Sequence, residues 1–163
     1  MITQSELKEL LDYNQDTGIF TWKKNVSSRA RVGDIAGSLS QAGYMNIVIS
    51  KKKYSSHRLA WFYIYGEFPS NDIDHINNNK SDNRIINLRE ATRNQNNCNR
   101  NIQKNNKSGV KGIYKHTQYD KWVAEIKINK KSIYLGVFDN LELAKLVISE
   151  ARNKYHREYA NHG

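Results

Sequence analysis

An acid and an imidazole stand side by side at Asp74 and His75, where the polar stretch DHINNNKSDNR begins. Histidine has a pKa near neutrality, so it suits the removal of a proton from water. The carboxylate of Asp74 and an amide oxygen such as that of Asn96 are hard ligands, which suit Mg²⁺ or Mn²⁺ better than Zn²⁺. A base and a divalent cation together meet the needs of phosphodiester hydrolysis, which must activate water and stabilise the leaving oxygen. These residue types therefore predict metal-assisted chemistry on a phosphate ester.

A regular strand would direct the side chains of Asp74 and His75 to opposite faces. Ile73 indicates a strand leading into the motif, and neighbouring side chains of a strand point to opposite faces. Asp74 and His75 can therefore act together only if the chain bends close to His75. The asparagine-rich residues that follow permit such a bend.

The run DIDHINNNKSDNRIINLREATRNQNN resembles the HNH endonucleases with a ββα-metal motif, especially the H-N-N variety of phage and intron-encoded homing enzymes. The resemblance is carried by Asp74-His75, Asn87-Leu88-Arg89 and Gln95-Asn96. It implies that His75 is the general base and that Asp74 and Asn96 hold the metal. It also implies that Asn87 braces the loop and orients His75. Asparagine at the last position favours Mg²⁺ or Mn²⁺ and no zinc, and either Asn94 or Asn97 could replace Asn96 in a shifted register.

The residues before the motif predict a capped helix, short strands and an apolar helix. Thr3 and Glu6 have capping-box spacing, the segments 19–22 and 44–49 have strand character, and 58–65 reads as a helix ended by Gly66. The pieces DYNQDTGIFTW, GDIAGS, GYMNIVI and HRLAWFYIYGEFP are similar to the part that precedes the motif in phage enzymes, which implies strands along DNA. His57 admits either a structural role or a phosphate contact. By its polarity alone, Leu88 to Asn97 predicts a short exposed helix.

Positive charge is concentrated in the last third of the chain. The 163 residues carry a formal charge of +10, with 13 Lys and Arg against 10 Asp and Glu in residues 1–98 and 13 against 6 in residues 99–163. A localised basic surface predicts a polyanionic partner, most simply nucleic acid. Residues 94–106 hold seven asparagines, so the second half of that run predicts a linker.

Beyond Gly109 the pattern predicts three strands, at 110–114, 122–128 and 133–138, and a helix capped by Asn140. Leu143, Val147, Ala151 and Tyr155, with Ala144 and Ile148 alongside, predict the stripe that packs on the sheet. This segment resembles the ethylene-response-factor type of DNA-binding domain, through Gly112-Ile113, KWVAEI, YLGVF and the Ala144 helix. The resemblance implies that the sheet lies in the DNA major groove, with Lys111, Tyr114, Lys127 and Tyr134 at the contacting positions.

The fold expected is α+β: an N-terminal strand-rich region leading into a ββα-metal nuclease motif, then a three-stranded antiparallel sheet packed on one helix. The predicted parts are an HNH endonuclease domain at 1–98 (strands and helix that contact DNA at 1–70, ββα-metal motif at 71–98), a basic linker at 99–107, and a DNA-binding domain at 108–163. The predicted DNA contacts are Arg29, Arg31, Lys51, Lys52, Lys53, Arg58, Arg84, Arg89, Arg93, Arg100, Lys104, Lys107, Lys111, Tyr114, Lys127 and Tyr134.

The predicted function is metal-dependent hydrolysis of a phosphodiester bond in double-stranded DNA, site-preferring and nicking, by a homing-type or phage-encoded endonuclease that acts as a monomer without a small-molecule cofactor. The alternatives are a non-catalytic DNA-binding regulator and a protein that binds or cleaves RNA. The absence of a long apolar run argues against a membrane span. The single cysteine, Cys98, excludes an internal disulfide or a paired-cysteine zinc site, and with no signal-peptide pattern we expect a cytoplasmic location.

Overall fold

The structure, a computed structural model, describes residues 2–103 and 105–162. The chain divides into two compact units, the first ending at Ala91 and the second beginning at Thr92. Among the described residues no helix combines the length and the apolar character needed to cross a membrane.

The first unit contains two α-helices and seven short strands, all paired antiparallel. The helices are α1 (Gln4–Leu10) and α2 (Ser56–Tyr65). The strands are β1 (Leu11–Asn14), β2 (Ile19–Trp22), β3 (Ser38–Leu39), β4 (Met45–Ile49), β5 (Lys52–Ser55), β6 (Asp72–His75) and β7 (Leu88–Ala91). They form a β1–β2 hairpin, a β3–β4–β5 sheet and a β6–β7 hairpin.

Local sequence explains where these elements begin and end. Thr3 and Glu6 form the predicted capping box at the start of α1, which pairs N–H groups that the helix leaves unbonded. Gly66 ends α2 in the left-handed conformation. Ser50 and Lys51 both have positive φ, as a tight two-residue turn between β4 and β5 requires. The core of the unit joins α1, α2 and the strands through fully buried residues such as Leu7, Leu11, Ile47 and Leu59.

The second unit contains two α-helices, α3 (Arg93–Cys98) and α4 (Leu141–His156), and three strands. The strands β8 (Ile113–Lys115), β9 (Trp122–Ile128) and β10 (Lys131–Phe138) form an antiparallel sheet with β9 in the centre. Ile113, Ala124 and Ile126 pack from the sheet against α4. The side chains of Tyr114, Glu125, Lys127 and Tyr134 therefore project to the open face of the sheet, because alternate strand residues share a face.

Two local expectations were wrong. Leu88 to Ala91 form β7 rather than a helix, because Leu88 and Ala91 are buried and pair with β6, and the helix begins only at Arg93. On α4 the buried residues are Ala144, Ile148, Ala151 and Arg152, whereas Leu143 and Tyr155 are 50% and 43% exposed. A strict four-residue repeat drifts around a helix of 3.6 residues per turn, so it cannot keep one face buried over four turns.

Replacement of Gly18 by Ala tests the close approach of the β1–β2 turn to the residues before β7. A Cβ at Gly18 would lie 2.4 Å from the backbone N of Arg84, and φ is +71°. Gly33 is the matched control, since its φ of +86° carries the same left-handed strain with no atom within 4 Å. We expect Gly33→Ala to lower the free energy of unfolding by about 1 kcal/mol and Gly18→Ala to lower it by a further ~1–3 kcal/mol, measured by urea denaturation. Equal losses for the two variants would contradict this packing.

Candidate active site

Asp74 and His75 end the strand β6, opposite Arg89 and Leu88 of β7. Both side chains are buried, with exposures of 4% and 5%. The Nε and Nη2 atoms of Arg89 lie 2.9 and 2.7 Å from Oδ2 of Asp74, so both donate to the same carboxylate oxygen. This ion pair supplies the counter-charge that a buried carboxylate requires.

The chain turns directly after His75, as the asparagine-rich sequence predicts. The N–H of Asn78 donates to the carbonyl of His75 at 2.9 Å, and Asn78 has a φ of +61°. Asparagine tolerates this left-handed conformation better than most residues. The strand therefore ends at His75, and the imidazole lies where the loop of residues 76–87 begins.

Asn83 holds the imidazole of His75. Nε2 of His75 lies 3.2 Å from Oδ1 of Asn83, and the amide of Asn83 is oriented by donation from its Nδ2 to the carbonyl of Ser81 at 3.3 Å. With the amide so oriented, Nε2 carries the hydrogen and the basic lone pair resides on Nδ1. Burial lowers the pKa of His75 below its ordinary value, although Asn83 and the charge of Asp74 oppose this shift. The imidazole is therefore neutral at physiological pH, as a general base must be.

Asn87 connects two segments of the loop through the oxygen and the nitrogen of its side-chain amide. Its Oδ1 accepts from the backbone N–H of Asn77 at 3.0 Å, and its Nδ2 donates to the carbonyl of Asp82 at 2.8 Å. Its backbone carbonyl accepts from the N–H of Ile76 at 2.9 Å. Asn87 thus occupies the position that a brace of the loop would take, directly before β7.

Three residues at this site were missed by sequence reasoning: Asn83, Tyr13 and Tyr44. Tyr13, on β1, donates its hydroxyl to the carbonyl of Asn83 at 2.7 Å. The ring of Tyr44 lies 6.0 Å from His75 and 5.3 Å from His57. No local signal could have found them, since Tyr13 and Asn83 are 70 positions apart and Asn83 is one asparagine among many.

His57, at the start of α2, packs against the imidazole of His75 with ring centroids 5.1 Å apart in an edge-to-face arrangement. It is buried, and its Nδ1 has no hydrogen-bond partner among the described residues. Burial, followed by the nearby His75 and Arg58, lowers the pKa of His57 to about 3. Of the two roles considered, this placement supports the structural one, since a neutral buried imidazole is a poor phosphate ligand.

Asn96 belongs to the second unit, on α3. The helix begins with a capping box between Thr92 and Gln95, which explains its start directly after β7. Asn96 is half-buried, and its backbone N–H donates to the carbonyl of Thr92 at 2.9 Å. The elements β6, β7 and α3 thus follow one another in the β-β-α order along the chain.

Within residues 2–103 and 105–162, no three His, Cys, Asp or Glu side chains are grouped so that they could hold a metal ion. A site made from one carboxylate and one amide would not form such a group. The donor chemistry of Asp74 and Asn96 fits a hard divalent cation, because both offer oxygen ligands. A cation bound to Oδ2 of Asp74 would have to compete with the ion pair that this oxygen makes with Arg89.

The structure distinguishes the predicted DNA contacts by their environment. Arg58 donates to the carbonyls of Pro69 and Asn71, Arg84 pairs with Asp82, and Arg89 pairs with Asp74. Lys111 is half-buried and donates to the carbonyls of Cys98 and Arg100. Lys104 lies outside the described residues. The exposed members are Arg29, Arg31, Lys51, Lys52, Lys53, Arg93, Arg100, Lys107, Tyr114, Lys127 and Tyr134.

Residues 54–98 match the family of HNH endonucleases. The matched segment spans α2, the β6–β7 hairpin and α3, and it includes Asp74, His75, Asn87 and Asn96. The predicted HNH domain is therefore confirmed over these residues, and the match supports a nuclease, a hydrolase of phosphodiester bonds that acts on DNA. No curated protein and no solved structure matches the chain. Because the family match ends at Cys98, the likeness of residues 108–163 to a plant DNA-binding domain stays a prediction.

Replacement of Tyr13 by Phe tests whether the distant β1 strand supports the loop that holds His75. It removes a buried hydroxyl and leaves the carbonyl of Asn83 without that donor. We expect the free energy of unfolding to fall by about 1–2 kcal/mol, and the imidazole resonances of His75 to shift in the NMR spectrum. Tyr119→Phe is the control, because Tyr119 is 61% exposed and its hydroxyl makes no hydrogen bond to another described residue. An unshifted His75 in Tyr13→Phe would show that the loop does not need this contact.

Proposed function

We propose that this protein is a metal-dependent endonuclease that hydrolyses a phosphodiester bond in double-stranded DNA. One observation carries the proposal. Within the HNH-matched segment, a neutral buried histidine ends a strand and is held by an asparagine-rich, hydrogen-bonded loop. A histidine fixed in one tautomer is suited to take a proton from water, since the geometry of transfer is set before substrate binds.

In the proposed reaction the side chains have separate roles. His75 removes a proton from the attacking water through Nδ1. Asn83 keeps the hydrogen on Nε2, and Asn87 holds the loop so that the imidazole cannot rotate away. His75 and Asn87 are thus the proposed catalytic pair, although Asn87 acts by positioning.

Asp74 and Asn96 are the proposed metal ligands, on the basis of the family match and their oxygen donors. Mg²⁺ or Mn²⁺ bound there would neutralise the charge that develops on the leaving oxygen. Because Asp74 is paired with Arg89, metal binding would release the guanidinium. The released Arg89, which is one of the predicted DNA contacts, would then be available to a DNA phosphate.

The open face of the β8–β10 sheet is the proposed DNA grip of the second unit. Tyr114 and Tyr134 are 49% and 63% exposed there, and Lys127 is exposed beside them. Lysine and tyrosine can contact phosphates and base edges, but neither reads guanine through two parallel hydrogen bonds as arginine does. We therefore propose loose sequence preference, and nicking of one strand by a monomer because each chain has one proposed active site.

Cleavage of supercoiled plasmid tests the proposal. We expect the wild type to convert supercoiled DNA to the nicked form in Mg²⁺ or Mn²⁺ and to stop when EDTA is added. His75→Ala should slow the reaction by about 100-fold or more, because the general base is lost. His116→Ala is the matched control and should cut at the wild-type rate, measured on agarose gels.

The same assay separates the proposal from its rivals. Asn96→Ala should abolish metal-dependent cutting while DNA binding persists, whereas Asn94→Ala and Asn97→Ala should cut normally. Loss in one of these neighbours instead would move the metal ligand to that position. Binding without cutting by the wild type would identify a non-catalytic DNA-binding protein, and preference for RNA in competition would identify an RNA partner.

A salt titration tests the open face of the sheet. Lys127→Ala should weaken binding to duplex DNA and reduce the slope of log affinity against log salt concentration by about 0.9, which corresponds to one lost phosphate contact. Lys145→Ala is the matched control, because Lys145 lies on α4 and pairs with Glu142. Identical slopes for Lys127→Ala and the wild type, measured by fluorescence anisotropy, would exclude this face.

A further inference from the structure

The second unit holds an open cleft of about 1500 Å³. It is lined by residues of α4 and of the sheet, and two of these, Tyr114 and Lys127, belong to the open face of the sheet. Among the described residues that line it, seven are Lys or Arg and one, Glu125, is acidic. The carboxylate of Glu125 accepts from the hydroxyl of Ser132 at 2.6 Å. The cleft therefore carries a strong excess of positive charge that its own lining does not balance.

Arg152 is the most unusual of these cations. It is 4% exposed, yet it forms no ion pair with any described residue. Its guanidinium donates to the backbone carbonyls of Lys111 and His162. These contacts use two of the five N–H groups of the side chain, and a buried arginine is normally paired with an anion.

Two further basic groups lie beside Arg152. His156 follows it by four residues on α4, which places both side chains on one face of the helix. Lys111 contributes the carbonyl that Arg152 contacts, and its ammonium donates to the carbonyls of Cys98 and Arg100, which uses two of three donors. The structure thus brings three cationic or protonatable groups together around neutral carbonyl partners.

His156 also has a buried nitrogen without a hydrogen-bond partner among the described residues. Its Nε2 lies 3.1 Å from the carbonyl of Lys127, whereas its Nδ1 is buried and has no partner among the described residues. Buried polar atoms without a partner are rare in proteins and often mark the place of an unseen water or ion.

The electrostatics of the cluster agree with its geometry. Burial lowers the pKa of Lys111 to about 8, with the charge of Arg152 adding to the effect. Burial also lowers the pKa of His156. The charges of Arg152 and Lys111 add to this effect, whereas the hydrogen bond from Nε2 to the carbonyl of Lys127 opposes it. The protonated forms therefore repel one another, and an anion within reach would relieve that repulsion.

We propose that Lys111, Arg152 and His156 form a binding site for a phosphate group in this cleft, beside α4. A phosphate offers several charged acceptor oxygens to the remaining donors of Arg152 and Lys111. Its negative charge would favour the protonated form of His156, whose Nδ1 would then donate as well. Either a phosphate of the nucleic-acid backbone or free inorganic phosphate could supply this chemistry. The site binds without hydrolysis, so it does not depend on cleavage at His75.

The direct test is a titration of the full chain with inorganic phosphate at constant ionic strength, with chloride as the reference anion, followed through the imidazole NMR resonances of His156. We expect a saturable shift in the wild type and in Lys154→Met, since Lys154 is exposed on the same helix and does not line the cleft. Arg152→Met should abolish saturation. Two results would overturn the proposal. One is an equal saturable shift in Arg152→Met and the wild type. The other is a wild type that does not saturate, together with unchanged DNA binding by the variants described below.

Duplex DNA provides the second arm and identifies the source of the phosphate. If the backbone of DNA occupies the site, Arg152→Met should weaken DNA binding about tenfold, as loss of a charge-assisted hydrogen bond predicts, and inorganic phosphate should compete with DNA. If DNA affinity is unchanged while phosphate still saturates the wild type, the ligand is the free ion. Because Arg152 is buried and its replacement could unfold the unit, His156→Gln is measured in parallel. This variant lacks the imidazole probe, so its phosphate affinity is compared with that of the wild type by isothermal titration calorimetry. A folded His156→Gln that matches the wild type in both arms would equally overturn the proposal.

Discussion

The site in the first unit depends on one constraint: a nearly all-polar loop must bury an acid, a histidine and two asparagines. A buried polar group left without a partner costs about 1–3 kcal/mol, so the buried amides of Asn83 and Asn87 need hydrogen-bond partners. Asn87 bonds to the backbone of Asn77 and Asp82, and Asn83 bonds to His75 and to the carbonyl of Ser81. These hydrogen bonds hold the loop of residues 76–87, and the position of His75 depends on them.

The same constraint explains the pairing of Asp74 with Arg89. A buried carboxylate is tolerated only with a counter-charge, and the register of β6 and β7 places Arg89 directly opposite. The carboxylate of Asp74 is therefore already neutralised by the guanidinium of Arg89. In the proposed metal site, this guanidinium and a divalent metal ion would be alternatives at the same oxygen.

Features set by neighbouring residues could be predicted from the sequence, and those set by distant residues could not. The capping box at Thr3, the end of α2 at Gly66 and the bend after His75 follow from local chemistry, and each is present in the structure. The β7 strand was predicted as helix because residues 88–97 are mostly polar as a whole. The four residues LREA alone do not indicate that β6 is their partner strand. Tyr13 could not be predicted because it contacts Asn83 across 70 positions, and Asn83, although only 8 positions from His75, is one asparagine among many.

The same distinction applies to the second unit. Ala124 and Ile126 alternate in β9 and pack against α4, and such a placement can be predicted because a period of two is visible in the sequence itself. The placement of Arg152 was not visible, because on α4 it occupies a position that an apolar residue would normally fill. Lys111 likewise reads as one basic residue among many, but the structure aims it at the carbonyls that end α3. Cations buried against backbone carbonyls fix neighbouring segments and keep unused donors, so a single set of residues can both hold this unit together and present positive charge to an anion.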